Sequence, residues 1–206
     1  MGTLVDMRIL ELLSARLCHE LVGPVTAINN GVELMGEDDP EFVRDAVGLV
    51  GQSAGRAAQL LQFYRFAYGT LTPGSSGGPD PRELTRSLLE GGKVTCEWSA
   101  PAIALNAEWH KLACNMLVLA AAALPRGGTV EVAAPPAGPG LTVTARGDSI
   151  NVTEEGRAAL ERTTPLAELT PRTVQGFFTA CLAEQLNASL AATVETSQFV
   201  LTAKTD

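Results

Sequence analysis

The 206 residues of this chain suffice for one domain or two small ones, and 46% apolar with 18% charged residues is an ordinary globular composition. The net charge of −8, without a cluster of Lys or Arg, argues against a nucleic-acid-binding surface. No signal peptide opens the sequence, and no apolar run is long enough to span a membrane. We therefore expect a cytoplasmic protein whose partners include neither nucleic acid nor membrane.

The four cysteines are far apart and lack metal-ligand spacing: Cys18, Cys96, Cys114 and Cys181. In a reducing cytosol this pattern predicts buried free thiols. We expect neither a disulfide nor a metal site on them.

The first predicted helix runs from about residue 5 to residue 35. Its apolar residues recur at helical spacing: Leu10, Leu17, Leu21, Ile28, Val32 and Met35. At about 100° per residue, His19 points nearly opposite this stripe, so the helix presents His19 on its open side. The neighbours of His19 on that side are small or polar and form a flat shelf for another protein: Ala15, Arg16, Gly23, Thr26 and Asn30.

An exposed helical histidine is most often an ordinary surface residue, but two neighbours of His19 favour a functional role. Glu20 can hold an imidazole tautomer or accept a proton. Pro24 removes the hydrogen bond that an N–H would donate to the Glu20 carbonyl, and it predicts a kink. A costly residue inside a helix is typical of a functional site.

A second helix is predicted from about residue 41 to residue 68, after an acidic turn over residues 36–40. Its apolar residues again form one stripe: Phe42, Ala46, Leu49, Val50, Ala57, Leu60, Leu61 and Tyr64. A two-helix hairpin cannot bury both stripes alone, so we expect a homodimer whose hairpins form a four-helix bundle. The alternative is that the rest of the chain covers the stripe.

Residues 69–81 have the Gly, Pro and Ser content of a linker. They divide a helical hairpin over residues 1–70 from a second domain over residues 71–206. There the pattern predicts helices over about residues 81–90, 108–124 and 171–186, and strands over 94–98, 129–133, 141–145, 190–194 and 199–203. The last two strands are expected to pair, and the element order indicates an α/β sandwich with a largely antiparallel sheet.

The sequence His19-Glu20-Leu21-Val22-Gly23-Pro24 resembles the H box of two-component sensor histidine kinases, in which the histidine is phosphorylated. The run over residues 17–31 resembles the ChpT-type histidine phosphotransferases of alphaproteobacterial phosphorelays. The resemblance is specific over about residues 10–70 and looser over the rest. It implies a homodimer that is phosphorylated on His19 and binds response-regulator receiver domains, including that of a hybrid histidine kinase.

The second domain resembles the ATP-binding domain of those kinases but lacks the residues that hold the nucleotide. Asn115 fits the first position of the N box, and residues 125–128 fit the glycine turn that follows it. Residues without the required chemistry occupy four nucleotide or Mg²⁺ positions: Leu119, Ala122, Ala145 and Ser149. The glycine loop expected around residues 173–176 keeps only Gly176. The resemblance thus implies a degenerate ATPase-like sandwich that binds no ATP and no other cofactor.

We predict from these two halves a phosphohistidine carrier, a phosphotransferase that is not an ATP-dependent kinase. A neutral His19 nitrogen would attack the receiver's aspartyl phosphate, and the receiver would bring its own Mg²⁺. We expect Glu20 to orient the ring and to stabilise positive charge on it, and Arg16 to steer an acidic receiver face or to touch the phosphoryl oxygens. Gly23, Thr26 and Asn30 would form the docking shelf.

Two other functions stay open at this point. A docking or regulatory protein would bind receivers or kinases without carrying phosphate, which the intact H-box pattern disfavours. An active soluble kinase is disfavoured by the eroded nucleotide positions. The second histidine, His110, lacks an acid–proline context and is predicted to be a structural or surface residue near the start of a helix.

Overall fold

The structure, a computed structural model, describes residues 6–70, 79–135 and 140–205. The predicted helix start at residue 5 and most of the predicted linker, residues 71–78, lie outside the described residues. The chain forms a two-helix hairpin followed by a five-stranded sheet with helices.

The hairpin consists of α1 (Met7–Leu34) and α2 (Pro40–Tyr68), close to the predicted bounds. Both helices begin at an aspartate, Asp6 and Asp39, whose side chain accepts a bond from a free backbone N–H of the first turn. Helix α1 continues through Pro24 to its end. The local sequence therefore accounts for both helices.

The remaining elements follow in chain order: α3 (Pro81–Leu89), β1 (Val94–Trp98), α4 (Ala100–Ile103), α5 (Ala107–Ala122), β2 (Gly128–Ala133), β3 (Gly140–Arg146), α6 (Glu154–Leu160), α7 (Val174–Gln185), β4 (Ala188–Val194) and β5 (Gln198–Thr205). Every predicted helix and strand is present. The short helices α4 and α6 and a 3₁₀ turn at Leu166–Glu168 were not predicted, because so few residues carry no clear helical period. The cap at Thr153, followed by two glutamates, is a signal that could have revealed α6.

The sheet has the strand order β1-β2-β3-β5-β4. Its pairings are antiparallel except that of β1 with β2, where Val94 lies opposite Gly128 in a parallel register. Helices α4 and α5 make the crossover that a parallel pair requires. The predicted fold, a helical hairpin followed by an α/β sandwich with a largely antiparallel sheet, is confirmed.

The helices cover one face of the sheet. Along β2 the side chains of Val130 and Val132 are buried, whereas Glu131 between them is exposed and pairs with Arg146 on β3 at 2.8 Å. The inward side chains of β5, Phe199, Leu201 and Ala203, pack with α5 and α7 in one core. This alternation is that of an antiparallel sheet with one solvated face.

The hairpin packs on the sandwich along two apolar clusters, which together we call the interdomain seam. One cluster joins α1 to α6 and α7: Ile9, Leu13, Ala159, Leu169, Val174 and Phe177. The other joins α2 to α3 and α5: Leu60, Phe63, Tyr64, Phe66, Ala67, Leu84, Cys114 and Val118. The hairpin therefore packs against the sandwich through the start of α1 and the end of α2, the end opposite its turn.

The buried face of α1 differs from the predicted stripe. Ile9, Leu13 and Gly31 are its buried residues, whereas Leu10 and Val32 are 55% and 56% exposed. Helix α1 faces both α2 and the sandwich, so its contact face is rotated away from these two side chains. The sandwich thus covers part of the hairpin's apolar surface and leaves another part open.

We expect Gly128→Ala to destabilise the chain by about 2 kcal/mol or more. Gly128 has φ +147°, and a Cβ there would lie 2.1 Å from the Arg146 carbonyl oxygen across the β2–β3 pair. Gly48→Ala on α2 is the control, since its Cβ meets nothing within 4 Å and helix propensity favours Ala by about 1 kcal/mol. Denaturant unfolding measures both changes, and an unchanged stability of Gly128→Ala would contradict the geometry.

Candidate functional site

His19 lies near the middle of α1 with its side chain exposed. Gly23, Thr26 and Asn30 follow one, two and three turns later, and all three are exposed. Together they form an open surface beside His19. Their roles in binding a partner stay predictions.

An open groove of about 540 Å³ runs between α1 and α2 next to this surface. Small residues form much of it: Gly23, Ala27, Gly51, Ser53 and Gly55. The turn after α3 closes its end, where Gln59 Nε2 on α2 donates to Glu90 Oε2 at 2.7 Å. Because the α1 side of the groove, Gly23, Pro24 and Ala27, has no long side chain, a partner's helix could approach the His19 helix closely.

Arg16, one turn before His19, turns toward the interdomain seam. Its Nη1 donates to the Pro171 carbonyl oxygen at 3.4 Å. Its Nε is buried and has no hydrogen-bond partner in the part of the chain that the structure describes. The contact seen for Arg16 is therefore internal, and its predicted contact with a receiver stays a prediction.

Two phenols of α2, Tyr64 and Tyr68, lie near the charged groups of Arg16 and Glu20 on α1. Burial raises the pKa of both hydroxyls, and the negative charge of Glu20 raises both pKa values further. The positive charge of Arg16 opposes that rise in pKa. The phenols are thus neutral groups, able to donate a hydrogen bond.

Glu20 is half-buried and lies near these phenols, about 100° round the helix from His19. Within the described ranges no hydrogen bond joins its carboxylate to the His19 ring. The predicted roles of Glu20, to orient the ring and to stabilise positive charge on it, both stay predictions.

A buried hydrogen-bonded chain crosses the seam behind these residues. Tyr68 Oη donates to Gln175 Oε1 at 2.6 Å, and Gln175 Nε2 donates to Asn115 Oδ1 at 2.9 Å. Asn115 Nδ2 donates to the carbonyl oxygens of Ala67 at 2.9 Å and Lys111 at 2.8 Å. Sequence reasoning placed Asn115 in a degenerate N box and missed Tyr68 and Gln175, which no local pattern distinguishes.

Leu119 and Ala122, two of the positions that the kinase resemblance assigns to the nucleotide site, line a pocket of about 260 Å³, below the usual range for ligand sites. Leu119, Ala122, Val152 and Phe199 supply apolar lining, and no carboxylate lines it among the described residues. Ala145 is fully buried in β3. The pocket therefore offers no acidic ligand for Mg²⁺.

His110 lies near the start of α5, as predicted. Its Nε2 is 3.1 Å from the Ala102 carbonyl oxygen, and its ring stands edge-on to Trp98 with centroids 5.9 Å apart. It is half-buried and distant in sequence from the His19 surface. These contacts are those of a structural residue.

Within residues 6–70, 79–135 and 140–205, no group of three or more His, Cys, Asp or Glu side chains could hold a metal ion. Over the same ranges no helix has both the length and the apolar character needed to cross a bilayer.

The four thiols differ in exposure: Cys114 is buried, Cys96 and Cys181 are half-buried, and Cys18 is exposed, so the prediction of buried thiols is wrong for Cys18 and holds in full only for Cys114. Cys18 is exposed next to His19 because it lies on an open side of α1. Burial raises the pKa of Cys96 to about 12 and also raises the pKa values of Cys114 and Cys181.

We therefore expect iodoacetamide at pH 8 to label Cys18 first in the folded protein, because thiolates are the reactive form. The other three should react at the same rate only after unfolding. Peptide mass spectrometry gives the order, with Cys18→Ser as the control. Rapid labelling of Cys114 in the folded chain would contradict the packing.

Comparisons with known proteins agree with this architecture. A sequence model of the histidine phosphotransferase C-terminal domain matches residues 78–198. The protein phosphotransferase ChpT of Brucella abortus (strain 2308) is 31% identical over 205 residues, which cover 96% of each chain. A solved structure of a bacterial phosphotransferase at 1.7 Å is 27% identical, covers 98% of each chain and superposes with a TM-score of 0.76.

Proposed function

This chain belongs to the histidine phosphotransferase family, and we propose that it carries a phosphoryl group on His19 between response-regulator receiver domains, without binding ATP. One of these receivers would belong to a hybrid histidine kinase. The observation that carries the proposal is the exposed His19 beside an open groove of small residues. A nucleophile that must meet two different proteins in turn needs such an accessible surface.

Phosphoryl transfer is mostly positioning and charge stabilisation, so a carrier can contribute little more than the nucleophile. An unprotonated His19 nitrogen would attack the aspartyl phosphate in line. The N–P bond forms as the P–O bond to the aspartate breaks, and the aspartate leaves as a carboxylate. The receiver, rather than this chain, would supply the Mg²⁺ that neutralises the phosphoryl oxygens.

Glu20 would act in this step through its charge. Its half-buried carboxylate lies on the turn that carries His19, and a nearby negative charge favours the positive charge that develops on the phosphorylated ring. Gly23, Thr26 and Asn30 would contact the receiver, because they extend the exposed surface along α1. Arg16 would act mainly within the seam, where its contacts lie.

The eroded nucleotide region supports a carrier that takes phosphate from proteins alone. Its pocket is small and largely apolar, and Leu119 replaces a Mg²⁺ ligand. Asn115, which fits the N box, is 0% exposed, and both ends of its amide form hydrogen bonds within the chain.

We further propose a homodimer formed through the open apolar side of the hairpin. Val25 and Val32 on α1 are 47% and 56% exposed, and Val47 and Leu61 on α2 are 55% and 49% exposed. Helical geometry puts these four side chains on one side of the hairpin, away from the groove beside His19. Pairing with a second copy would bury them in a four-helix bundle and leave both His19 surfaces open.

The test supplies two phosphoryl donors separately to the unmodified protein: a receiver domain phosphorylated on its aspartate, and ATP with Mg²⁺. We expect radiolabel to reach the chain from the receiver alone, in a form that is labile to acid and stable to alkali, as a phosphohistidine is. Tight receiver binding without label transfer would instead indicate the docking protein. Label from ATP alone would show that the second domain is an active kinase domain.

A further inference from the structure

We propose that Tyr68, Gln175 and Asn115 form an interdomain lock, which holds the sandwich against the hairpin in one orientation and so positions the turn that carries His19. The locking part stands on the structure of the chain alone. The positioning part rests on the proposed function, since it concerns how well a receiver meets His19.

The lock joins the end of α2 to two separate helices of the sandwich. Gln175 on α7 accepts from the Tyr68 hydroxyl at 2.6 Å and donates to Asn115 on α5 at 2.9 Å. Asn115 in turn donates back to the Ala67 carbonyl oxygen of α2 at 2.9 Å. The chain of bonds therefore closes on the same turn of α2 from which it starts.

Burial makes this chain of bonds restrictive. Asn115 is 0% exposed and Gln175 is 1% exposed, so neither can exchange its partner for water when the domains shift. A buried polar group that loses its partner costs far more than an exposed one. Lys111 Nζ adds a donor to the Gly69 carbonyl oxygen at 2.6 Å, at the very end of α2.

Both amides of the lock lie where the resemblance to histidine kinases places parts of the nucleotide site. Asn115 fits the N box, and Gln175 lies in the stretch where a glycine-rich phosphate loop is expected. In this chain the two side chains bond to each other and to the hairpin. Both amides are therefore taken up by contacts within the chain.

A continuous set of contacts leads from the lock to the His19 turn. The Tyr68 ring packs on Tyr64 with centroids 4.9 Å apart and on Phe178 of α7 at 5.5 Å. Tyr64 belongs to the apolar cluster against which Leu17 and Leu21, the residues two before and two after His19, are packed. Arg16 reaches the sandwich itself through the Pro171 carbonyl.

The test uses two variants that cut the lock with little change in shape, Tyr68→Phe and Gln175→Met. The control is Thr179→Val, which removes the buried hydroxyl that donates to the Gln175 carbonyl oxygen at 2.7 Å within α7. It weakens the same helix but breaks no bond between domains. Circular dichroism first establishes that all three variants are folded at the assay temperature.

Hydrogen–deuterium exchange measures the lock without any phosphotransfer. We expect exchange over residues 60–70 to rise at least about tenfold in both lock variants and to stay near the unmodified rate in Thr179→Val. Equal exchange in the unmodified chain and both lock variants would overturn the lock. Equal acceleration in Thr179→Val would overturn it too, since general destabilisation would then explain the effect.

Steady-state transfer from a phosphorylated receiver measures the positioning. Because only chains in the competent orientation bind, the lock variants should raise the apparent KM for the receiver by about five- to tenfold and change kcat by less than about twofold. Faster exchange with an unchanged KM would overturn the positioning role. An absence of transfer in the unmodified protein would defeat the proposed function, while the exchange result would still decide the lock.

Discussion

His19→Gln is expected to reduce phosphoryl transfer from a phosphorylated receiver by at least about 10³-fold, the scale on which removing a nucleophile acts. Glutamine keeps a polar side chain on the exposed face of α1 but has no unprotonated ring nitrogen to attack phosphorus. His19 is exposed, and no hydrogen bond in the described ranges ties its ring to the core, so folding should be unaffected.

The matched control is His110→Gln, because the chain has only two histidines. His110 contacts the Ala102 carbonyl and Trp98 within the sandwich, so its loss should cost some stability but leave transfer near the unmodified rate. Receiver binding is measured in parallel by calorimetry. Transfer that survives in His19→Gln and disappears in His110→Gln would place the phosphoryl group on His110 and contradict the proposed role of His19.

The double substitution Val25→Glu and Val32→Glu is expected to convert the proposed dimer into a monomer. The two valines lie seven residues apart and are 47% and 56% exposed in the single chain. In a four-helix bundle both would be buried against the partner, where an unpaired carboxylate costs several kcal/mol. A free monomer would carry the same carboxylates in water at little cost.

Sedimentation equilibrium measures the mass in solution, and we expect the mass of one chain for the double variant and of two chains for the unmodified protein. Asn30→Glu serves as the control, since it adds a carboxylate to the same helix on the exposed His19 side. We expect that control to remain dimeric and to transfer phosphate less efficiently, because Asn30 lies on the proposed docking surface. A single-chain mass for the unmodified protein at micromolar concentration would refute the proposed dimer.

Local sequence features were sufficient for most of the fold. The apolar periods and the acidic turn over residues 36–40 depend on neighbours along the chain, so both long helices were predicted close to their observed bounds. The short helix α6 escaped prediction because its seven residues have no clear period. The buried apolar residues of α1 were also not predicted correctly. The sandwich packs on the side of α1 that carries Ile9 and Leu13, and this contact cannot be inferred from the helix alone.

The sequence by itself determined the position of His19 on a helix, the residue types around it and the lack of a side-chain oxygen at Leu119, since each follows from residue type and local spacing. Only the tertiary structure decided that Arg16 turns toward the seam and that Asn115 bonds to Gln175, which is 60 residues further along the chain. A buried polar side chain takes whatever partner the packing brings within hydrogen-bond distance, and that choice depends on the relative placement of whole elements.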